Sequence, residues 1–189
     1  MNDAETGHYV TYEEFGRRFF EIAVTEDRVG GAIAEIAGEA FELGPIAQGP
    51  GKIAKVTAKV RILDPRVTRE VGELITFGIR IPLEIDMVVD LRIDKPKFMV
   101  FGEISLRATA QAAEPLLLIL DVEKPRPSDI SIHVTSKSLR AEVVRIVGGV
   151  DAEIKRFIAA HVAGESDSPA SKKAKIIDVA EQVAESWGT

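Results

Sequence analysis

The chain has 189 residues, of which 46% are hydrophobic and 29% are charged, and its 30 acidic and 24 basic side chains give a formal net charge of −6. A chain of this length can bury roughly two-thirds of its unfolded surface in one domain, and its acidic balance argues against a nucleic-acid binder that neutralises phosphates over a broad face. Because the sequence has no cysteine, disulfides, thiolate metal sites and a cysteine nucleophile are excluded.

The N-terminal segment has no positively charged stretch followed by an apolar one, so it does not resemble a secretory signal. The most apolar run, residues 115–120, is too short to span a membrane. The sequence therefore predicts a soluble, cytoplasmic protein that does not span a membrane.

Two helical segments open the chain. Thr11 begins a Thr-Tyr-Glu-Glu capping box closed by Glu14, in which each side chain accepts a hydrogen bond from the other residue's backbone N–H. Thr25 is a second candidate N-cap, and Gly38 is a candidate stop. The pattern predicts one bent helix or two consecutive helices over residues 11–38.

After Gly49, apolar and polar residues alternate, which is typical of β-strands. In the second of these segments every odd-numbered residue is apolar, and its length would be about 50 Å, roughly twice that of a usual strand. Pro82 has no N–H to donate, so it predicts an edge position or a bulge. Short connections favour an antiparallel meander. We predict strands over residues 54–62, 79–94, 98–110, 116–123 and from 130 to 134.

A third helix follows the strands. Ser136 or Ser138 can cap it, and its apolar stripe runs from Leu139 through Val143, Ile146, Val147, Val150, Ile154, Phe157 and Ile158 to His161. Gly148-Gly149 should weaken or kink this helix. We interpret His161 as a favourable cation near a helix C-terminus.

The chain divides into three parts. Residues 1–163 form the main domain, and residues 164–175, rich in Ser, Lys and Pro, are interpreted as a flexible linker. Residues 176–189 are predicted to form a short amphipathic helix with Trp187 as its anchor.

No spacing typical of a catalytic or metal site is present. His8, His133 and His161 lack the spacings of metal-binding histidines, and His133 is expected to point to solvent. Glu84, Asp86 and Asp90 share one face of a strand, which we interpret as a solvated exterior. We therefore predict that the protein is not an enzyme and has no catalytic residue, metal or cofactor.

The most basic patch is the row formed by Lys52, Lys55, Lys59 and Arg61. We interpret it as a solvated face of the sheet, with a docking surface for anionic headgroups as the alternative. The sequence thus leaves open a weak peripheral contact with membranes, and it also leaves open a homo-oligomer. Nucleic acid is not an expected partner.

Five features in this order carry a resemblance: the helix over 11–38, Phe41-Glu-Leu-Gly-Pro-Ile46 with Gly49-Pro-Gly51, the long strands, Asp121 to Pro127, and the helix from Leu139 through Val150. Over about residues 11–163 the chain resembles an uncharacterised actinobacterial protein family. That family's architecture is similar to tubular lipid-binding (TULIP-like) domains, in which a curved antiparallel sheet wraps a long helix and encloses a lipid groove. The resemblance implies a fold and a ligand class, but it assigns no functional residue.

The sequence thus predicts an α+β fold in which a long, curved antiparallel meander wraps amphipathic helices. The predicted function is non-enzymatic binding or carriage of a lipid or acyl chain in an apolar groove between sheet and helices, where each buried methylene would supply about 0.8 kcal/mol. The alternative is an interaction protein with a filled core that docks a protein partner. The residues expected to line the groove are Phe15, Phe19, Ile81, Leu83, Ile85, Met87, Val89, Leu91, Phe98, Val100, Ile146 and Val150.

Overall fold

A computed structural model describes residues 8–37, 40–48, 50–52, 54–134 and 141–187. The helices in these ranges are α1 (Tyr12–Ala23), α2 (Glu26–Ala37), α3 (Ala141–Ser166), α4 (Pro169–Ala174) and α5 (Val179–Trp187). The strands are β1 (Phe41–Gln48), β2 (Ala54–Ile62), β3 (Arg66–Val71), β4 (Ile75–Asp90), β5 (Lys97–Ala113), β6 (Leu117–Val122), β7 (Ile130–Val134) and β8 (Ile176–Asp178).

The long strands β4 and β5 form a central antiparallel hairpin that pairs from Ile75 and Ala110 to Val88 and Lys97. Two shorter strands lie end to end along each of them, β2 and β3 beside β4, and β6 and β7 beside β5. β1 continues the sheet from β2, and β8 continues it from β6. The predicted α+β fold with a curved antiparallel meander is confirmed.

Strand β4 shows the clearest alternation. Each odd-numbered residue from Ile75 to Val89 is buried, so the predicted apolar face is confirmed from Ile79 to Val89, and it begins two pairs earlier than predicted. The prediction was wrong at the far end, because the strand stops at Asp90 and Ile93 is 99% exposed. Arg92 adopts φ of 69° in the turn that follows, and this reversal of the backbone turns Ile93 out of the row, whereas Leu91 remains partly buried against the core.

Pro82 lies in a central strand of the sheet, and the register of β4 with β5 is regular around it, so the predicted edge position or bulge was wrong. The Pro82 carbonyl accepts a hydrogen bond from Leu63 N at 2.9 Å, so it faces the side of β4 on which β2 and β3 lie. The nitrogen of the same residue faces that side too. There β2 ends opposite Leu83 and β3 begins opposite Arg80. The missing N–H therefore falls at a gap between two partner strands, where no ladder bond is needed.

The long helix α3 packs over one end of the sheet and contacts β1, β7 and α2. Val150, Ile154, Ile158 and Val162 are buried in the same cluster as the sheet residues. The helix continues through the glycine pair where a weak point was predicted. Because the buried row advances by four residues at a time, Phe157 lies at its edge and is 51% exposed, contrary to the prediction.

His161 does not act as a terminal cation in the way the sequence indicated. The helix extends beyond His161 to Ser166. The imidazole ring of His161 stacks on the ring of Phe41, with their centroids 3.8 Å apart. The contact joins α3 to β1, a strand that we did not predict. His133, in contrast, is exposed as expected.

At the N-terminus two consecutive helices form. Thr11 Oγ1 accepts a hydrogen bond from Glu14 N at 3.2 Å, which confirms the predicted cap, and Thr25 Oγ1 accepts from Arg28 N at 3.4 Å. The carboxylate of Glu14 instead pairs with Arg18 at 2.6 Å, one helical turn away. The candidate cap residues 38, 136 and 138, and the side chains of residues 139, 143, 147 and 187, lie outside the described residues.

The segment predicted to be a flexible linker is ordered. Ser168 caps α4 by accepting a hydrogen bond from Ser171 N at 3.2 Å, and Ser166 and Ser171 are buried. Lys175 Nζ donates to the carbonyl and hydroxyl of Ser166 at 2.9 and 2.6 Å. The serines and the lysine therefore serve as caps and internal partners, and Ile176, where we predicted a helix, begins β8.

Candidate functional site

The residues predicted to line a groove fall into two groups. Those on the sheet and on α3 form the packed core, whereas Phe15 and Phe19 on α1 are 61% and 39% exposed. Leu91, Phe98 and Ile146 are partly buried against the same core. At most 1% of the surface is exposed for Ile81, Leu83, Ile85, Met87, Val89, Val100 and Val150.

An apolar pocket lies elsewhere, between α2, the ends of β5 and β6, and the connection from α4 to β8. Its volume is about 70 Å³. Its apolar lining residues are Ala23, Val24, Val29, Ala32, Ala110, Leu118, Ile119, Leu120, Ala174 and Ile177. None of the twelve predicted groove residues lines it. Sequence reasoning missed it because its walls combine short alanines with residues from segments far apart in the chain.

Two basic residues complete the lining, and no described acidic residue does. Arg28 Nη1 donates to the carbonyl of Ala23 at 2.7 Å, and the Lys175 carbonyl accepts from Leu120 N at 2.8 Å. Partial burial lowers the pKa of Lys175, against a smaller raising effect from Asp167. The pocket thus combines apolar walls with two basic residues, although Lys175 Nζ is hydrogen-bonded to Ser166. This lining suits a ligand with an apolar tail and an anionic head.

Helix α1 covers this end of the sheet loosely. None of its 12 residues, all of which are described, is buried. Its apolar stripe faces solvent, with Tyr12 98%, Phe15 61% and Ile22 74% exposed. An open cavity of about 650 Å³ lies between α1, the turn after β3 and the end of β5, and it shares Ala110 with the apolar pocket.

The junction of α1 and α2 is fixed by Arg69 on β3. Its Nη1 donates to the carbonyls of Glu21 and Val24 at 2.7 and 2.8 Å, and its backbone N–H donates to Glu26 Oε1 at 2.7 Å. These bonds hold the C-terminal end of α1 in place. The opposite end of α1 makes no comparable hydrogen bond to the sheet among the described residues.

The predicted basic and acidic rows turn out to be neighbours on the outer face of the sheet. Lys55 pairs with Asp90 across the strands, Lys59 with Asp86, and Arg61 with Glu84. The guanidinium of Arg61 lies 2.9 Å from Glu84 and 3.3 Å from Asp86. This arrangement favours the solvated face over a cationic docking surface, because each cation of β2 faces a carboxylate of β4.

The described residues contain no group of three or more His, Asp or Glu side chains that could hold a metal ion. None of the helices in the described ranges combines the length and apolar character needed to cross a membrane. The sequence has no significant match among the protein-family models and curated proteins with which it was compared.

Proposed function

We propose that the protein binds a hydrophobic ligand without catalysing a reaction, and that the acyl chain of this ligand enters the apolar pocket beneath α2. The observation that carries the proposal is the lining of that pocket, which is apolar except for Arg28 and Lys175. Apolar walls favour methylene groups over water. The two basic residues favour a single-chain ligand with an anionic head, such as a fatty acid.

The volume of the pocket sets a requirement on how the ligand enters. A dry apolar cavity of about 150 Å³ can hold a benzene-sized molecule. At about 70 Å³ the pocket is smaller, so a long chain needs additional space. Helix α1 can provide it, because no residue of α1 is fully buried and its contact with the core comes from the partly buried Phe20 and Ala23, so its displacement costs little apolar contact.

The test fills the pocket from within. Ala32 lines it and Ala34, on the same helix, is exposed. We expect Ala32→Phe to weaken the binding of a fluorescent fatty acid about tenfold or more, since the ring occupies the ligand's volume, whereas Ala34→Phe should bind like the wild type. Fluorescence titration of delipidated protein measures both. Equal affinities in the two variants, or no binding by the wild type, would contradict the proposal.

The alternative function, docking of a protein partner, is favoured by the exposed apolar stripe of α1. Organic extraction followed by mass spectrometry of the purified protein separates the two functions. A ligand binder is expected to release lipid at near-stoichiometric amounts. If the protein releases no lipid and does not bind the fluorescent fatty acid, the interaction protein is the better interpretation.

A further inference from the structure

Three arginines lie side by side on the outer face of the sheet, apart from the apolar pocket. Arg66 on β3 is directly opposite Arg80 on β4. Arg80 is opposite Ser105 on β5, and Arg107 is one pair further along the same face. All three arginines are exposed. Like charges directly opposite each other destabilise an antiparallel pair, so the arrangement calls for a compensating negative charge.

The protein does not supply that charge from the described residues. Arg66, Arg80 and Arg107 make no ion pair and no side-chain hydrogen bond with any of them. Asp129 lines a groove that also contains Arg80 and Arg107, but it accepts a hydrogen bond from Arg126 N at 2.8 Å and lies 3.8 Å from Arg126 Nε.

Two other acids lie near the arginines. Glu123 lines the groove, and Glu103 is diagonal to Arg80, yet no ion pair joins either carboxylate to the three arginines. The cations of β2 differ in this respect, since each of them faces an acid.

Two of the three arginines, Arg80 and Arg107, border a concave site. A groove with a volume of about 560 Å³ is lined by Arg80, Arg107 and Arg126 together with Thr68 and Ser105. Gly78 forms part of its floor, where a Cβ would come within 3.0 Å of Thr68 Oγ1. Thr68 Oγ1 thus covers the floor at Gly78 and donates to the Gly78 carbonyl at 3.3 Å, while guanidinium groups and the Ser105 hydroxyl line the rest of the groove.

We propose that this arginine groove binds a phosphate group. Guanidinium groups match phosphate oxygens with two parallel N–H bonds each, and a doubly charged anion can neutralise cations that repel one another. The net charge of −6 disfavours a long polyanion, so the ligand is a small phosphorylated molecule or a lipid headgroup, which share this chemistry. The site goes beyond the acyl-chain pocket and does not depend on it.

Two titrations at low ionic strength distinguish the sources. Calorimetry with inorganic pyrophosphate reports a soluble phosphate, and sedimentation with phosphatidylcholine vesicles containing phosphatidate, compared with phosphatidylcholine alone, reports a headgroup. The test variant carries Arg80→Gln and Arg107→Gln. The control carries Lys55→Gln and Lys59→Gln, which removes the same charge from a row that faces acids.

We expect the arginine variant to lose binding about tenfold or more while the lysine variant keeps it. The thermal unfolding midpoint of the ligand-free arginine variant should not be lower than that of the wild type, because the substitutions relieve repulsion. This measurement distinguishes lost binding from misfolding. Pyrophosphate binding with this pattern assigns a soluble ligand, and vesicle binding alone assigns a headgroup. Equal loss in both variants, or no binding of either probe, overturns the proposal.

Discussion

At the scale of single residues, Asp90 shows how one carboxylate fixes the turn of the central hairpin. It accepts hydrogen bonds from Lys95 Nζ at 2.8 Å and from Arg92 N at 3.0 Å. The hydrogen bond from Lys95 has the larger effect, and together with the one from Arg92 it lowers the pKa of Asp90 below its ordinary value. The turn thus depends on the ionised form of this side chain.

The sign of the pH dependence follows from that lowered pKa. The stabilisation is present above the pKa of the unfolded chain, about 4, and is lost as the pH falls through the lower pKa of the folded state. We expect Asp90→Asn to lack this part of the acid destabilisation. Urea unfolding midpoints measured at several pH values below 5 test this. Asp64→Asn, an exposed acid between β2 and β3, is the control and should follow the wild type.

At the scale of elements, α4 and β8 close the open side of β6. β8 pairs with β6 from Leu117 to Ile119, and Val179 N donates to the carbonyl of Leu116 at 3.0 Å. Helix α5 contributes less, because its described side chains from Ala180 to Ser186 are all exposed. The stabilising part of the C-terminal region therefore ends near Val179.

Two truncations compare these contributions. A chain that ends at Gly164 loses α4 and β8, exposes Leu118 and removes one wall of the apolar pocket, so we expect it to lose about 1 kcal/mol or more of stability and to bind the fatty acid poorly. A chain that ends at Val179 keeps β8 and should resemble the full protein. Thermal unfolding measures both. Identical melting of the shorter chain and the full protein would show that the segment does not stabilise the sheet.

At the scale of the whole molecule, the interior beneath β4 is a filled core. Val89 is 0% exposed and packs with β2 and β5 residues in one cluster. Space for a ligand therefore has to be sought at the end of the sheet, where the helices α1 and α2 cover it.

Enlarging Val89 tests this interpretation. We expect Val89→Trp to be destabilised by about 1–3 kcal/mol, because the indole must displace packed neighbours. Val88→Trp, on the outer face of the same strand, should cost much less. Unfolding of delipidated protein in urea gives both values. A stable Val89→Trp variant with weakened fatty-acid binding would instead place a ligand cavity beneath the strand.

The sequence by itself determined the features that depend on neighbours in the chain. Side-chain alternation predicted β2, the centre of β4 and β5, because successive residues of a strand point to opposite faces. Thr11 was recognisable as a cap because its hydroxyl reaches a backbone N–H only a turn away. β1 escaped this reasoning, since Gly44 and Pro45 interrupt its alternation where its register with β2 shifts.

Only the tertiary structure decided which distant residues meet. The rows of Lys59 and Asp86 were both visible in the sequence, but their mutual neutralisation depends on strand register. The encounter of Arg66 with Arg80 has the same origin. Whether an apolar face is covered by side chains or by a ligand depends on how all the elements fill space together, and alternation carries no information about volume. For that reason the sequence predicted an apolar interior, while packing placed the open pocket at its end.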